Sequence, residues 1–255
     1  MNTALKAVFF DQDGVIVDTE KDGHRVSFNK AFAEFGINAE WDVETYHKLL
    51  QIGGGKERIK HYFQTSGYAG KEYAADPDGF VKAIHKRKTD IFIDMIRTKQ
   101  LPLRPGIYRL MKEIKAKGLL LGICTTSAED SARAVVENLL TGIEVDILLA
   151  GDIVKKKKPD PEIYLLAMEK AGVRKGEFAV VEDSAIGVAA AVSAGAAVVA
   201  TVNDYTRDEA VDAAKIIVDC LGEPDRPAQC LRRSPSAAFK GYIDVAFLAS
   251  LLGEK

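Results

Sequence analysis

From Leu101 to Val202 apolar strand-like runs alternate with helical stretches, a rhythm that restricts the chain to an α/β fold. Pro105 to Lys117 reads as a helix closed by Gly118, Leu119 to Cys124 as a strand, and Glu129 to Leu140 as a helix. Strand Asp146 to Ala150, helix Pro161 to Ala171 before Gly172, strand Phe178 to Val181, helix Ala185 to Ala194 before Gly195, and strand Ala197 to Val202 continue the series. Strands with no polar alternation are buried on both faces, so the expected architecture is a doubly wound parallel sheet flanked by helices. Leu5 to Phe10 has the same character and belongs to that sheet as its first strand.

That first strand ends in acid. Asp11 and Asp13 are separated by Gln12 and followed by Gly14, and in an open α/β sheet ligands bind at the carboxyl ends of strands. Side chains alternate along extended backbone, so the two carboxylates could share one side while Gln12 points away. One could then bind Mg²⁺ and attack an electrophile while the other moves a proton. The competing reading is an Asx-turn, in which both only cap loop backbone. Asp-x-Asp-Gly alone leaves the two open.

Between the first strand and Leu101 the pattern turns helical, which predicts a helical insertion over 21–100 in a core made of 1–20 and 101–255. His24, Phe28, Phe32 and Phe35 approximate a helix stripe ending at Gly36. Asp76-Pro77 opens another helix, with Phe80, Ile84, Ile91 and Met95 on one side. Gly53-Gly54-Gly55 lies between them, followed by Lys56 and Arg58. Such a run lets backbone approach a ligand closely, and it serves equally as a hinge.

Thirty-five basic and thirty-seven acidic residues leave a net charge of −2, giving no support for non-specific nucleic-acid or membrane binding. Cys124, Cys220 and Cys230 lack metal-ligand or redox spacing, so reduced thiols in a reducing compartment are expected. Asp11 stands too near the start for a secretory signal to precede it, and no apolar run reaches the roughly 18 residues of a membrane span. Residues 221–240 show no periodicity and read as an excursion before a last helix, Ile243 to Leu252.

Three further strand ends carry polar residues. Thr125, Thr126 and Ser127 follow Leu119 to Cys124; they suit an anionic oxygen, or simply a helix N-cap. Lys158 stands between a lysine run and Pro159, where the next helix begins; a positioned lysine can neutralise a phosphoryl oxygen and hold a neighbouring carboxylate ionised. Lys155 to Lys157 read as a solvated face. Glu182-Asp183-Ser184 closes the strand Phe178 to Val181, and two acids there need a cation or a capping role.

Taken together, Asp11-Gln12-Asp13-Gly14, Thr125, Lys158-Pro159 and Glu182-Asp183-Ser184, in this order and each behind a strand, resemble the four motifs of the haloacid dehalogenase superfamily. The resemblance covers nearly the whole chain, and the insertion point resembles that of the helical cap of the beta-phosphoglucomutase-like branch. Within the cap, Asp18-Thr19-Glu20 to Phe32, Trp41-Asp42, Gly54-Gly55-Lys56-Glu57-Arg58-Ile59, His85-Lys86-Arg87-Lys88-Thr89 and Leu103-Arg104-Pro105-Gly106 look like CbbY-type sugar bisphosphate phosphatases. That group is associated with Rubisco and removes its misfire product, xylulose 1,5-bisphosphate. The tail at 221–240 departs from shorter bacterial members.

The resemblance implies a Rossmann-like core and Mg²⁺ as cofactor, with Asp11 as nucleophile and Asp13 as acid and base. It also implies a metal site of Asp11, the Asp13 backbone carbonyl and Asp183, with Glu182 orienting metal-bound water. Thr125 and Lys158 would grip the phosphoryl group beside Thr126 and Ser127. Substrate choice would fall to Glu20, Gly54, Gly55, Lys56, Arg58, His85 and Lys88, with Arg87 as readily a surface residue. The implied partner is a small sugar phosphate, met by a monomer in the cytoplasm or plastid stroma. A phosphatase is the leading reading, a sugar phosphomutase the second, and a catalytically silent Rubisco-associated protein the third.

Overall fold

The structure, a computed structural model, describes residues 5–52, 54–233 and 239–252. Gly53 of the glycine run and 234–238 of the polar excursion lie outside the described residues. The chain divides into two compact units, Met1–Asp18 with Pro102–Lys255, and Thr19–Leu101.

Among the described residues, the larger unit is built on seven strands: β1 (Ala7–Phe10), β2 (Leu120–Cys124), β3 (Ile147–Leu149), β4 (Phe178–Glu182), β5 (Ala197–Thr201), β6 (Ile216–Val218) and β7 (Cys230–Arg233). Their order in the sheet is β3-β2-β1-β4-β5-β6-β7. All pairs are parallel except β6 with β7. The order reverses at β1, which lies between β2 and β4, and a crevice at the carboxyl ends of such strands is where α/β sheets place their ligands. Register fixes which residues meet there: Phe10 pairs with Ile123 on one side and Val181 on the other. Asp11 is therefore level with Cys124 and Glu182.

Helices α6 (Ile107–Ala116), α7 (Glu129–Leu139), α8 (Glu162–Ala171), α9 (Ala185–Ala194) and α10 (Val245–Leu251) accompany the sheet. β1, β4 and β5 are buried along their whole length, as central strands covered on both faces must be. Pro105 and Gly106 form a turn rather than opening α6, because Gly106 is left-handed at φ 88°. The pattern predicts neither β6 nor β7: three and four residues are too few to show a period, and β7 is an edge strand in which Leu231 stays exposed.

Lys6 and Arg174 meet at Glu177, just before β4. Glu177 accepts from Arg174 Nη2 at 2.9 Å, Arg174 N at 3.0 Å and Lys6 Nζ at 2.9 Å. These bonds, those of Arg174 first, hold its carboxyl down to about 2 from 4.5. The stability supplied by the ionised form is complete above 4.5 and is lost as pH falls toward about 2. Glu177→Gln should therefore melt below wild type at pH 7, with the gap narrowing below pH 4.5. A gap independent of pH would contradict this account.

The smaller unit is helical: α1 (Arg25–Glu34), α2 (Val43–Leu50), α3 (Gly55–Ser66), α4 (Lys71–Ala75) and α5 (Pro77–Arg97), preceded by a π-helical turn over Thr19–His24. α5 starts where the sequence places it: Pro77 occupies the first turn and the Asp76 carboxylate accepts from Gly79 N at 3.0 Å. Phe28, Phe32, Trp41, Tyr46 and Phe63 are buried in an aromatic core. Asn29 clamps Trp41 by donating to its carbonyl at 2.9 Å and accepting from its N–H at 2.8 Å.

Candidate active site

The carboxyl ends of β1, β2 and β4 bring the polar residues of the larger unit together. Asp11 Oδ1 accepts from Lys158 Nζ at 2.6 Å, and the same ammonium donates to Glu182 Oε1 at 2.6 Å and to the Cys124 carbonyl at 3.0 Å. Lys158 thus spends all three protons on neighbours. Its side chain is 5% exposed, and the two carboxylates hold it protonated against the cost of burial. Tyr164 from α8 donates to Glu182 Oε1 at 2.5 Å and lies beneath the ammonium, 5.1 Å from ring centroid to Nζ.

Asp11, Glu182 and Asp183 can each offer an oxygen within 4.8 Å of the others, and all three are buried. Burial, opposed by Lys158 and assisted by Glu182 and Asp13, pushes the Asp11 carboxyl up to about 7 from 3.8. Burial also raises Asp183 well above its ordinary value, with Asp11 and Glu182 adding to it and Arg104 and Asn203 opposing. Three crowded acids, two of them paired with one ammonium, form a hard-oxygen site short of positive charge, and a divalent cation such as Mg²⁺ fits that donor set.

Asp13 lies outside this acid group. Its Oδ2 accepts from Ser127 Oγ and, at 3.3 Å, from Thr125 Oγ1, while Thr125 Oγ1 accepts from Ser127 N at 3.1 Å. Neither hydroxyl caps α7, whose N-cap is Ala128 without a side-chain bond. The helix-cap reading of Thr125 and Ser127 is thereby replaced by a contact to Asp13; Thr126 is exposed. Ser184 does cap α9, accepting from Gly187 N at 3.2 Å.

Around these acids glycine is required at Gly14 and Gly187. Gly14 has φ 78°, and a Cβ there would overlap the Asp183 carboxylate and come within 2.8 Å of Asn203 Nδ2. A Cβ on Gly187 would overlap the Glu182 carboxylate. Asn203, which sequence reasoning did not single out, donates to Asp183 Oδ2 at 2.8 Å, while its own Oδ1 accepts from Tyr205 N at 2.9 Å and Thr206 N at 3.2 Å. It follows β5 just as Asp183 follows β4, so the same strand-end rule would have found it.

The smaller unit carries its own polar cluster. Glu20 Oε2 accepts from Tyr46 O–H at 2.7 Å, and Arg58 reaches Tyr46 Oη at 3.4 Å and the Ile52 carbonyl at 3.0 Å. Lys88 is buried, with Nζ 2.9 Å from His24 Nδ1 and 5.0 and 5.5 Å from the Phe28 and Phe92 ring centroids. Burial, opposed by Glu20 and assisted by Arg58, lowers Lys88 to about 8. Burial, with Lys88, Arg58 and His85 adding to it, keeps His24 neutral.

Lys56 and His85 line a cavity of about 550 Å³ with Lys82 and Lys86. Gly55 lies so close to His85 that a Cβ would come within 2.7 Å of its ring. Gly54 precedes α3, its carbonyl accepting from Arg58 N at 3.0 Å. Arg87 is a surface residue paired with Glu34 at 2.5 and 2.8 Å. His24 and Tyr46 are members of the cluster that spacing did not reveal, because their neighbours come from other helices.

A family model for haloacid dehalogenase-like hydrolases matches residues 5–195. The chain belongs to that family. Among its relatives is the "CBBY-like protein" of Arabidopsis thaliana, 44% identical over 99% of this chain and 76% of that protein. A mutant of CbbY from Rhodobacter sphaeroides, solved in complex with xylulose-(1,5)bisphosphate, is 34% identical with a TM-score of 0.65, covering 85% of this chain and 94% of that one. A beta-phosphoglucomutase from Clostridium difficile shares the fold at 24% identity and TM-score 0.57, over 85% of this chain and 91% of that one. This haloacid dehalogenase-like chain is thus a CbbY-like phosphoric monoester hydrolase.

Proposed function

We propose that the enzyme is a Mg²⁺-dependent sugar bisphosphate phosphatase that converts xylulose 1,5-bisphosphate to xylulose 5-phosphate and phosphate, removing an inhibitor of Rubisco. The observation that carries this reading is the division of labour among the acids. Asp11 is in a buried group with Glu182, Asp183 and Lys158, whereas Asp13 is turned away onto Ser127 and Thr125. Likeness to the CbbY solved with that bisphosphate supports the choice of substrate.

In the proposed reaction the Asp11 carboxylate attacks phosphorus in line and forms an aspartyl phosphate, while the Asp13 carboxyl gives its proton to the departing sugar oxygen. Asp13, now ionised, takes a proton from the water that attacks the phosphoenzyme, releasing phosphate and restoring Asp11. Lys158 opposes the burial that favours a neutral Asp11 and, giving up one of its three present contacts when substrate binds, meets the phosphoryl oxygens with Thr125, Thr126 and Ser127. Asp11, the Asp13 carbonyl and Asp183 would hold Mg²⁺, with Glu182 beside them; the bound ion supplies charge against the phosphoryl oxygens.

The helical unit, the cap in this reading, recognises the rest of the substrate. Lys56, Arg58, His85 and Lys88 are its cationic or protonatable groups for a second phosphate, Gly54 and Gly55 lend close backbone approach, and Glu20 takes sugar hydroxyls. Lys88 suits an anion because burial leaves its charge poorly solvated. The three free thiols accord with a reducing compartment, the cytoplasm or plastid stroma, and a monomer suffices for the chemistry.

Purified protein with Mg²⁺ should release phosphate from xylulose 1,5-bisphosphate at least about tenfold faster than from ribulose 1,5-bisphosphate, because the wrong epimer leaves a buried hydroxyl contact of about 1 to 3 kcal/mol unmade. Equal rates on the two epimers would defeat the substrate assignment. Faster conversion of β-glucose 1-phosphate to glucose 6-phosphate would favour the mutase.

A further inference from the structure

Arg104 lies just inside the returning segment of the larger unit, which begins at Pro102. Its N–H donates to the Ile16 carbonyl at 2.9 Å, and Leu103 forms an antiparallel bridge with Val17, so the outgoing and returning segments are joined there. The guanidinium reaches further. Nη1 donates to the Gly14 carbonyl and, at 2.8 Å, to that of Thr201; Nη2 donates to the carbonyls of Val202 at 2.8 Å and Asp219 at 2.5 Å. One planar fork thus fastens the loop behind Asp13 to the end of β5 and to the residue after β6.

We infer that Arg104 is a positioning residue for proton transfer by Asp13, acting through the Gly14 carbonyl. The Asp13 carboxylate is held at its tip by Ser127 and Thr125, but its aim depends equally on the peptide that carries it. That peptide has little freedom. Gly14 N donates to the Val17 carbonyl at 2.8 Å, its Cα faces the Asp183 carboxylate and Asn203, and its carbonyl is drawn onto Arg104. With the guanidinium gone, the carbonyl of the Gly14–Val15 peptide loses its anchor, and Gly14, still tied to Val17 through its N–H, passes the shift back to the Asp13 backbone, so the carboxyl loses the direction that a proton donor needs. A lysine keeps the charge but not the fork: one ammonium cannot serve four carbonyls in a plane.

The inference rests on the acid-base role proposed for Asp13, and its test separates the two. Wild type, Asp13→Asn and Arg104→Lys are compared by kcat/KM on phenyl phosphate and p-nitrophenyl phosphate, two substrates of similar shape whose leaving oxygens differ in their need for a proton. Measurements are made with saturating Mg²⁺ at a temperature where circular dichroism shows each variant folded. Arg104→Lys should lose roughly 10- to 10²-fold on phenyl phosphate, the scale of a small misplacement, and under about threefold on the nitrophenyl ester. Asp13→Asn should show the same asymmetry. Arg104→Gln is the second variant, retaining one amide donor, should Arg104→Lys fail to fold. Equal losses on both esters in the Arg104 variant beside an asymmetric Asp13→Asn would overturn the inference and leave the role of Asp13 standing, as would wild-type rates in Arg104→Lys. Symmetric losses in Asp13→Asn itself would overturn both.

Discussion

Asp11→Asn should leave the fold intact and lower phosphate release by roughly 10³-fold or more, since covalent catalysis at this position has no substitute. Glu182 is engaged by Lys158 and Tyr164, Asp183 by Asn203, and Asp13 by Ser127 and Thr125, so no neighbouring carboxylate is poised to take over. The same substitution carries a signature in stability. Burial raises the Asp11 carboxyl to about 7 from 3.8, so the metal-free folded protein loses stability as pH rises through that interval and the buried group ionises. Asparagine removes that loss. In chelator, the thermal midpoint of Asp11→Asn relative to wild type should climb between pH 5 and pH 8. Near-wild-type phosphate release would sink the nucleophile assignment, and a pH-independent difference in midpoint would sink the electrostatic account.

Lys158→Met should produce the largest loss of stability, about 3 to 5 kcal/mol in the metal-free protein, the usual cost of removing one partner from a buried ion pair. The ammonium is the cation in direct contact with both Asp11 and Glu182, at 2.6 Å each, and Glu182 is fully buried. Methionine fills much of the volume but leaves two carboxylates facing each other in a dry site. Because those acids raise the Lys158 pKa above 10.5, the ammonium stays charged until pH rises toward the raised value, while its pairing with Asp11 is complete only above about pH 7, where that carboxyl ionises. Urea unfolding at pH 7.5 in chelator measures the loss. A change below about 1 kcal/mol, the range of a solvent-exposed pair, would show that water relieves this site.

Much of the larger unit is legible before folding is considered. Central strands such as Phe178–Glu182 announce themselves as unbroken apolar runs, and their ends are marked where acids or hydroxyls interrupt them. Asp11, Thr125, Lys158, Glu182 and Asp183 can be collected from strand ends because a doubly wound topology sends those ends to one edge. Asp244, which caps α10 by accepting from Phe247 N at 2.6 Å, and Asp76 before α5 are local signals of the same kind. The helical unit is less legible. Arg87 and Lys88 are adjacent basic residues on α5, yet one pairs with Glu34 at the surface while the other is buried against His24. One step of about 100° around the helix separates those fates, and nothing in their chemistry predicts which turns inward.

The amino-acid sequence by itself determined the α/β class, the helical insertion after the first strand, and the residue types delivered to the strand ends, because each follows from local periodicity and from the geometry of one chain segment. Tertiary structure alone decided which of those residues meet. It turned Ser127 and Thr125 onto Asp13 instead of onto α7, spent Glu182 on Lys158 and Tyr164, tied Asp183 to Asn203, and drew Arg104 onto four carbonyls from three segments. Such partners are separated by about 20 to 115 residues, and their pairing depends on sheet order and register, which a segment read alone does not contain.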